Sequence, residues 1–250
     1  MNNKISLIIN TISKNSDIWS LFFDKLDEYT TKDFFHKKYI FVDDDLSKIP
    51  DDFIVIKYDS SKNYKEQFCS CIDKVEEEYC IYISEDYILY DFIDESKINQ
   101  FKSVLNEDTS LSFVRFMRGG VYDGPFESHS ENLFYLPIDQ DYFYTNQAAL
   151  WRTRDLELIH LKGPNLHIAN KDWKNSFEYR ATQTCRNLDM KGLFCYYDES
   201  KSGLYHYNSS VFPHISTALV KGKWNLTGYP KKMPDMIKQY NIDISQRGWV

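Results

Sequence analysis

In the first hundred residues, short apolar runs alternate with segments whose apolar residues recur every three or four positions. The apolar runs predict strands at Ile5–Ile9, Lys38–Val42, Phe53–Tyr58 and within Tyr79–Tyr87. The periodic segments predict helices after residue 16, over residues 63–78 and over residues 94–105. This alternation favours a mostly parallel sheet covered by helices, because parallel strands need long crossover connections.

The second half of the chain is less regular. Helices are predicted after Thr153 and over residues 172–188, and strands over residues 111–117, 133–137, 143–151, 192–197 and 203–207. From Lys221 onward, glycine, proline and lysine dominate, which is typical of a segment wrapped on the surface. With neither an internal repeat nor a clear linker, we expect one α/β domain with an irregular C-terminal part over residues 1–220, and a surface tail over residues 221–250.

Composition and charge exclude several classes of protein. The chain has 250 residues, of which 42% are hydrophobic and 27% charged, so it is long enough for a sizeable core and is not a disordered protein. Its formal net charge of -7 argues against a nucleic-acid partner, because phosphate contacts need a basic face. Aromatic residues make up 16%, an excess that suits sugar stacking, although AT-rich codon usage is the simpler explanation.

The cysteines bear on the cellular compartment. There are five, an odd number without the spacing of a disulfide framework, so we expect a reducing, cytoplasmic location. The apolar run Ile5–Ile9 is too short for a signal peptide or a membrane span, and we expect no transmembrane segment. The sequence also contains no glycine-rich phosphate loop, no G-x-S-x-G motif and no H-E-x-x-H motif.

Two adjacent carboxylates, Glu85 and Asp86, end the fourth predicted strand. A buried strand does not need acids at its carboxyl end, where each charge costs free energy unless it stays hydrated, pairs or meets a cation. Ligands of open α/β sheets bind at the carboxyl ends of the strands, and other predicted strands end near Asn10, Thr11 and Asp59. We therefore predict a metal–diphosphate site at Glu85 and Asp86, with a solvated turn or a carboxylate pair that caps the next helix as the alternatives.

Two later residues are further candidates for chemistry. Glu178 lies among aromatic residues, and a carboxylate whose pKa is raised by desolvation suits a general base that acts on a hydroxyl. The alternative is a helix glutamate that pairs with Lys174. His206 could complete a metal shell or contact a phosphate, although a hydrogen-bonded histidine among tyrosines is the simpler interpretation. The acidic run Asp43–Asp45 is best explained as a solvated turn.

Together these segments resemble a GT-A-type glycosyltransferase, a nucleotide-diphospho-sugar transferase similar in architecture to the large family 2. Ile5–Thr11 resembles the first strand, whose end meets the nucleotide, and Tyr79–Tyr87 resembles the strand with the D-x-D motif, here E-D-Y. Trp173–Glu178 resembles the segment that supplies the catalytic base, and Asn146–Trp151 resembles the strand before the acceptor-side helix. The resemblance covers roughly residues 4–210 as a pattern rather than as strong identity.

The resemblance implies a GT-A-like, Rossmann-type mixed sheet, mostly parallel and flanked by helices. The nucleotide-sugar-binding half would span residues 1–105 and the acceptor half residues 106–220. The reaction would be an inverting displacement in which Glu178 deprotonates the acceptor hydroxyl. A divalent cation, Mn²⁺ or Mg²⁺, would be held at Asp86 with His206 as a further ligand, and the remaining donor contacts would come from Asn10, Thr11, Asp59 and Glu85.

The resemblance also implies the partners, namely a nucleotide-sugar donor, with a UDP-sugar favoured, and a glycan or other hydroxyl acceptor in polysaccharide biosynthesis. Arg115 or Arg118 would offset phosphate charge, although either residue could equally lie on the surface. Three alternatives stay open: a non-catalytic carbohydrate-binding protein, an inactive protein that keeps the GT-A-like fold, and a sugar nucleotidylyltransferase. The last lacks the expected glycine-rich, basic phosphate loop near the amino terminus.

Overall fold

The computed structural model describes residues 4–44, 47–119, 124–164, 176–202 and 206–250. In this part of the chain the helices are α1 Ser16–Tyr29, α2 Tyr64–Ile72, α3 Glu95–Glu107, α4 Thr153–Lys162, α5 Phe177–Asn187 and α6 Lys232–Gln239. The strands are β1 Ile5–Asn10, β2 Lys37–Val42, β3 Phe53–Lys57, β4 Tyr79–Ser84, β5 Ile88–Leu89, β6 Leu111–Arg115, β7 Ser128–Ser130, β8 Leu133–Tyr135, β9 Ala149–Arg152, β10 Lys191–Cys195, β11 Lys201–Ser202, β12 His206–Tyr207, β13 His214–Ile215, β14 Leu219–Val220 and β15 Lys223–Trp224. No helix among these residues combines the length and the apolar character needed to cross a membrane.

Nine strands form one mixed sheet in the order β3–β2–β1–β4–β9–β6–β10–β8–β7. Strands β3, β2, β1 and β4 are parallel neighbours, and β6 and β10 form another parallel pair. Strand β9 is antiparallel to β4 and β6, and β8 is antiparallel to β10 and β7. All strands of this sheet except β8 and β9 therefore run in one direction, which confirms the predicted α/β fold with a mixed, mostly parallel sheet.

One edge of the sheet collects the carboxyl ends of β1, β4 and β6. Asn10 at the end of β1 is paired with Ser84 at the end of β4. Ala149 is paired with Tyr82 of β4 on one side and with Arg115 of β6 on the other. Because neighbouring strands lie about 4.8 Å apart, Arg115 is roughly 10 Å across the sheet from β4. The segments that leave these three strands can therefore enclose a common site.

Helices cover both faces of the sheet. Since successive side chains of a strand point to opposite faces, neighbouring residues of β1 lie in different cores. Leu7 and Ile9 of β1 pack into one core with residues of α1, α3 and α6. Ile8 packs into the opposite core with residues of α2, α4 and α5. Both faces of β1 are thus buried, which explains why its sequence is a continuous apolar run.

The predicted helices over residues 63–78 and 94–105 are present as α2 and α3, but α2 is shorter than predicted. The side chain of Asn63 accepts a hydrogen bond from the backbone N–H of Glu66 at 3.1 Å and begins α2 with a capping box. The helix ends at Ile72 because the next N–H groups form tighter turns, from Lys74 to Cys71 at 3.1 Å and from Val75 to Ile72 at 2.9 Å. The acids that follow α2 are therefore not helical.

The predicted strand over residues 143–151 is present only as β9, Ala149–Arg152. The residues before it form a loop whose N–H groups bind side chains of α5 instead of a neighbouring strand. The N–H of Tyr144 donates to Oγ1 of Thr182 at 3.0 Å, and the N–H of Asn146 donates to Oε1 of Glu178 at 2.8 Å. Tertiary hydrogen bonds have thus replaced sheet pairing in this segment.

The segment over residues 221–250 contributes to the core. Trp224 in β15 and Met233 in α6 are completely buried in the same core as β1 and α1. The N–H of Trp224 donates to the carbonyl of Gly248 at 3.0 Å, and the side chain of Arg247 forms an ion pair with Asp17 of α1. The predicted division into a domain over residues 1–220 and a tail stays a prediction, but the segment packs far more intimately than its composition suggests.

The burial of His160 affects how the free energy of unfolding depends on pH. Its ring stacks on Phe68 at a centroid distance of 3.5 Å, and burial lowers its pKa to about 3 from the ordinary 6.5. Below about pH 6.5 His160 becomes protonated in the unfolded chain, whereas in the folded chain it becomes protonated only near pH 3. The contribution of neutral, buried His160 to the free energy of unfolding is therefore fully present above pH 6.5 and is lost as the pH falls. We expect the decrease in the free energy of unfolding to approach roughly 1.4 kcal/mol per pH unit within that window.

Replacing His160 by phenylalanine keeps an aromatic ring between its neighbours and removes the titrating group. Urea unfolding from pH 7 to pH 4.5 should therefore show a shallower loss of stability for His160→Phe than for the unaltered chain. Equal pH slopes for the two proteins would show that His160 is not the source of the acid sensitivity.

Candidate active site

A cavity of about 540 Å³ opens at the edge of the sheet where β4 and β6 end. Charged side chains from three elements meet in it: Asp86 follows β4, Arg115 ends β6, and Glu178 lies in the first turn of α5. The other lining residues are Ser84, Tyr87, Met117, Arg118, Gly119, Phe126, Leu136, Gln140, Tyr142, Thr145, Asn146, Gln147, Phe194 and Thr217. The cavity thus combines two carboxylates, two guanidinium groups and an aromatic wall.

Asp86 lies in the turn that follows β4, where the N–H of Tyr87 donates to the carbonyl of Ser84 at 3.1 Å. Its own carbonyl accepts from the N–H of Ala218 at 3.1 Å, and the backbone N–H of Leu219 acts to lower the pKa of its carboxyl group. Burial, followed by the neighbouring charge of Glu85, raises the pKa of Asp86 to about 8. A carboxylate in this position favours the approach of a cation.

Both the backbone and the side chain of Glu178 are held in place by hydrogen bonds of neighbouring residues. The side chain of Ser176 accepts from the N–H of Tyr179 and so begins α5, which places Glu178 in the first turn of the helix. The backbone N–H of Asn146 holds Oε1 of Glu178 at 2.8 Å. Burial raises the pKa of Glu178, and the hydrogen bond from Asn146 and the charge of Arg115 oppose that rise. A desolvated carboxylate held in one orientation is suited to accept a proton.

Arg115 and Arg118 are both buried rather than on the surface, at 3% and 9% exposure. Nη1 of Arg115 donates to the carbonyl of Tyr142 and to Oγ1 of Thr145, both at 3.3 Å. Burial lowers the pKa of Arg115 to about 10. The guanidinium of Arg118 lies over the ring of Tyr207 at 4.3 Å. Of the residues predicted from the sequence, Asp86, Glu178, Arg115 and Arg118 therefore meet in one cavity.

Three of the predicted donor-binding residues are engaged elsewhere and do not line the cavity. The side-chain amide of Asn10 donates to the hydroxyls of Tyr64 and Tyr82, both at 3.5 Å. Oγ1 of Thr11 accepts from the indole N–H of Trp19 at 3.0 Å.

Glu85, the third, points away from the cavity that Asp86 lines. It is buried and accepts a hydrogen bond from the side chain of Asn15, and burial raises its pKa. Adjacent side chains at a strand end diverge, so only one member of the pair faces the cavity. The assignment of Glu85 and the other two residues to the donor stays a prediction.

The remaining candidates are distributed as follows. Asp59 is exposed, does not line the cavity, and accepts from the N–H of Ser61 at 2.9 Å. His206 lies in β12, and its side chain is outside the described part of the chain, as are Trp173 and Asp45. Asp43 accepts from the N–H of Ser13 at 2.6 Å, which is the role of a turn residue. The roles of Asp59 and His206 stay predictions.

The side chains that could coordinate a metal ion limit how such an ion could be bound. The described residues include no group of three or more His, Cys, Asp or Glu side chains that could hold a metal ion. Mg²⁺ and related cations are nevertheless bound in many sites by one or two carboxylates together with substrate phosphates. Asp86 fits this second mode as a single protein ligand, and it does not fit a site built from protein ligands alone.

Sequence reasoning missed the loop over residues 142–147, which supplies much of the cavity wall. Tyr142, Thr145 and Gln147 carry no motif, and the segment was predicted as a strand. A usable signal is present in the pattern, since polar residues precede the apolar run of β9 without strict alternation.

No protein-family model and no curated protein matches this chain. Solved structures do match it. TarS from S. aureus, residues 1–349, superposes with a TM-score of 0.50 and 14% identity, over 83% of this chain and 60% of that one. GalNAc-T7, in a structure with UDP, GalNAc and Mn²⁺, superposes with a TM-score of 0.53 and 8% identity, over 77% of this chain and 41% of that one.

These likenesses show that the chain has a GT-A-like fold, as the sequence predicted. The chain spans 60% of the TarS chain and 41% of the GalNAc-T7 chain, so it matches only part of each. At identities of 14% and 8% the likeness extends to the fold and not to the reaction. What this chain does must therefore be inferred from its own cavity.

Proposed function

We propose that this chain transfers a sugar from a nucleoside diphosphate to a hydroxyl group of an acceptor. One observation carries the proposal: Asp86 and Glu178, which are distant in the sequence, line the same cavity of a GT-A-like fold. The cavity lies at the carboxyl ends of β4 and β6, where ligands of open α/β sheets bind. GalNAc-T7 was crystallised with UDP and Mn²⁺, so a UDP-sugar and Mn²⁺ are the first candidates for this chain.

The chemistry assigned to the chain is an in-line displacement. Glu178 takes the proton of the acceptor hydroxyl, and the acceptor oxygen forms a bond to the anomeric carbon of the donor. The bond between that carbon and the diphosphate oxygen breaks, and the nucleoside diphosphate leaves with the electron pair. Attack on the face opposite the leaving group inverts the anomeric configuration.

Asp86 is assigned to the leaving-group side of the cavity. A divalent cation bound there through Asp86 and the diphosphate would neutralise charge on the leaving group. The raised pKa of Glu178 agrees with the role of a base, because a desolvated carboxylate binds a proton more strongly than a hydrated one. Phe126, which lines the cavity and is only partly buried, offers an aromatic surface on which a sugar ring can stack.

The experiment that tests the proposal is a donor screen on the full chain. UDP-, GDP-, ADP-, CDP- and dTDP-linked sugars are incubated with a mixture of hydroxyl acceptors and Mn²⁺, and products are detected by mass spectrometry. We expect a glycosylated acceptor and a free nucleoside diphosphate from one donor class. NMR of the product then gives the anomeric configuration, for which we expect inversion.

Three further measurements on the full chain separate the alternatives. Glycan binding without any product or nucleotide binding would favour a carbohydrate-binding protein. Calorimetric binding of UDP without turnover would favour an inactive protein with the GT-A-like fold. Release of pyrophosphate from a nucleoside triphosphate and a sugar phosphate would favour a nucleotidylyltransferase. Each of these results contradicts the proposal.

A further inference from the structure

Arg115 is a buried cation that forms no ion pair among the described residues, because the carboxylate of Glu178, the anion whose charge acts on it, lies beyond ion-pair distance. Its hydrogen bonds go to two uncharged oxygens, the carbonyl of Tyr142 and the hydroxyl of Thr145. Its Nε has no hydrogen-bond partner among the described residues, and no carboxylate of those residues forms an ion pair with it. Burial of a charge is unfavourable unless the charge is paired and its hydrogen-bonding groups are satisfied. An oxyanion from a ligand would supply both the opposite charge and the hydrogen-bond acceptor.

The guanidinium lies on the same side of the cavity as the proposed base. Arg115 is anchored to Tyr142 and Thr145, and the next residue of that loop, Asn146, holds Glu178 through its N–H. The charge of Arg115 accordingly lowers the pKa of Glu178. Asp86 lies beyond β9, in the turn after β4 at the other side of the cavity. An anion at Arg115 therefore lies near the acceptor hydroxyl rather than near the leaving diphosphate.

The residue packed against the guanidinium is a glycine. Gly119 lines the cavity next to Arg115, and a Cβ atom at that position would lie 3.7 Å from Nη1 and 3.8 Å from Nη2. A methyl group would fit there at ordinary contact distance, whereas a branched side chain would crowd the guanidinium and any group bound beside it. Because the guanidinium offers parallel N–H groups, it is matched to the two oxygens of a carboxylate or a phosphate.

We infer that the acceptor carries a carboxylate or a phosphate close to the hydroxyl that reacts, and that Arg115 binds this oxyanion. The inference rests on the proposed function, which it extends by naming the chemical class of the acceptor. The guanidinium then acts in positioning, because it fixes the acceptor while Glu178 takes the proton.

Binding of matched sugars to the full chain, without any donor, tests this inference. The pairs are glucose with glucuronate, galactose with galacturonate, and glucose with glucose 6-phosphate, titrated by NMR at constant ionic strength. We expect the anion of at least one pair to bind about tenfold or more tightly than its neutral partner, since a charge-assisted bidentate contact is involved. Arg115→Gln should remove this preference and leave the affinity for the neutral sugar unchanged.

Two further variants keep the test decisive if Arg115→Gln is unstable. Gly119→Val retains the cation and should weaken anion binding by crowding the guanidinium, whereas Gly119→Ala should retain most of the preference. Arg154→Gln, which removes a charge from the exposed surface of α4, should bind all the sugars as the unaltered chain does.

Three outcomes are distinguishable. If no pair shows a preference in the unaltered chain, or if Arg115→Gln and Gly119→Val both retain it, the inference is wrong. If UDP binding weakens in Arg115→Gln as much as anion binding does, the cation serves the donor and the inference is again wrong. An intact anion preference without transfer from any nucleotide-sugar would reject the proposed function and leave Arg115 as the oxyanion-binding residue.

Discussion

Glu178→Gln should lower kcat by about 100-fold to 10,000-fold, which is the range that a positioned general base contributes. The glutamine side chain has nearly the same shape, and its carbonyl oxygen can still accept the hydrogen bond that the N–H of Asn146 gives to Oε1 of Glu178 at 2.8 Å. The geometry of the cavity is thereby retained while the ability to take a proton is lost. We therefore expect the KM of the donor to change little.

The pH profile separates loss of a base from loss of structure. The pKa of Glu178 is raised by burial, so the carboxylate becomes protonated, and the base inactive, at a higher pH than for an exposed glutamate. As pH falls, kcat/KM of the unaltered chain should decline through that raised pKa, and Glu178→Gln should lack this decline. Glu107→Gln at the exposed end of α3 is the matched control. Full activity in Glu178→Gln would remove the base assignment.

Asp86→Asn should reduce kcat/KM by about 100-fold or more, because stabilisation of a leaving group by charge is among the largest contributions to catalysis. Asparagine has nearly the same shape, and the turn after β4 is held by backbone hydrogen bonds that the substitution leaves in place, so the turn is not expected to unfold. In contrast to the Glu178 variant, this one should also bind UDP less tightly in the presence of Mn²⁺. Isothermal titration of UDP with and without Mn²⁺ measures that loss.

The control for Asp86→Asn is Asp91→Asn, which alters an exposed residue whose carboxylate accepts from the N–H of Phe92 at 2.8 Å. It should bind UDP as the unaltered chain does. If excess chelator leaves turnover unchanged but Asp86→Asn still abolishes it, Asp86 acts without a cation. If Asp86→Asn is fully active, the assignment of Asp86 to the diphosphate is wrong.

Local pattern was sufficient for the parallel strands β1 to β4 and for the position of Asp86 at the sheet edge. β1 and β4 are buried on both faces, and such strands are continuous apolar runs that are visible in the sequence. A charged residue directly after such a run must lie at the sheet edge, which is why Asp86 could be assigned to a ligand site before its surroundings were known. Glu178 needed the resemblance as well, since a glutamate in the first turn of a helix is common.

Other features depend on contacts that no local pattern records. Nothing near Thr11 indicates that its hydroxyl accepts from Trp19, and nothing near Asn146 indicates that its N–H binds a side chain of α5. The glycine- and lysine-rich composition after residue 221 likewise conceals Trp224 and Met233, which are buried because β1 and α1 leave space for them. Long-range packing overrides composition in each case.

The shared core of β1, Trp224 and Met233 has a consequence for how the protein is made. Synthesis proceeds from the amino terminus, so β1, an interior strand of the sheet, leaves the ribosome long before Trp224 and Met233, which belong to the core on one of its faces. During elongation that face has exposed apolar side chains, and it is fully buried only after residues 224 and 233 have left the ribosome. Cotranslational protection by a chaperone would thus be needed longest at the part of the chain that is made first.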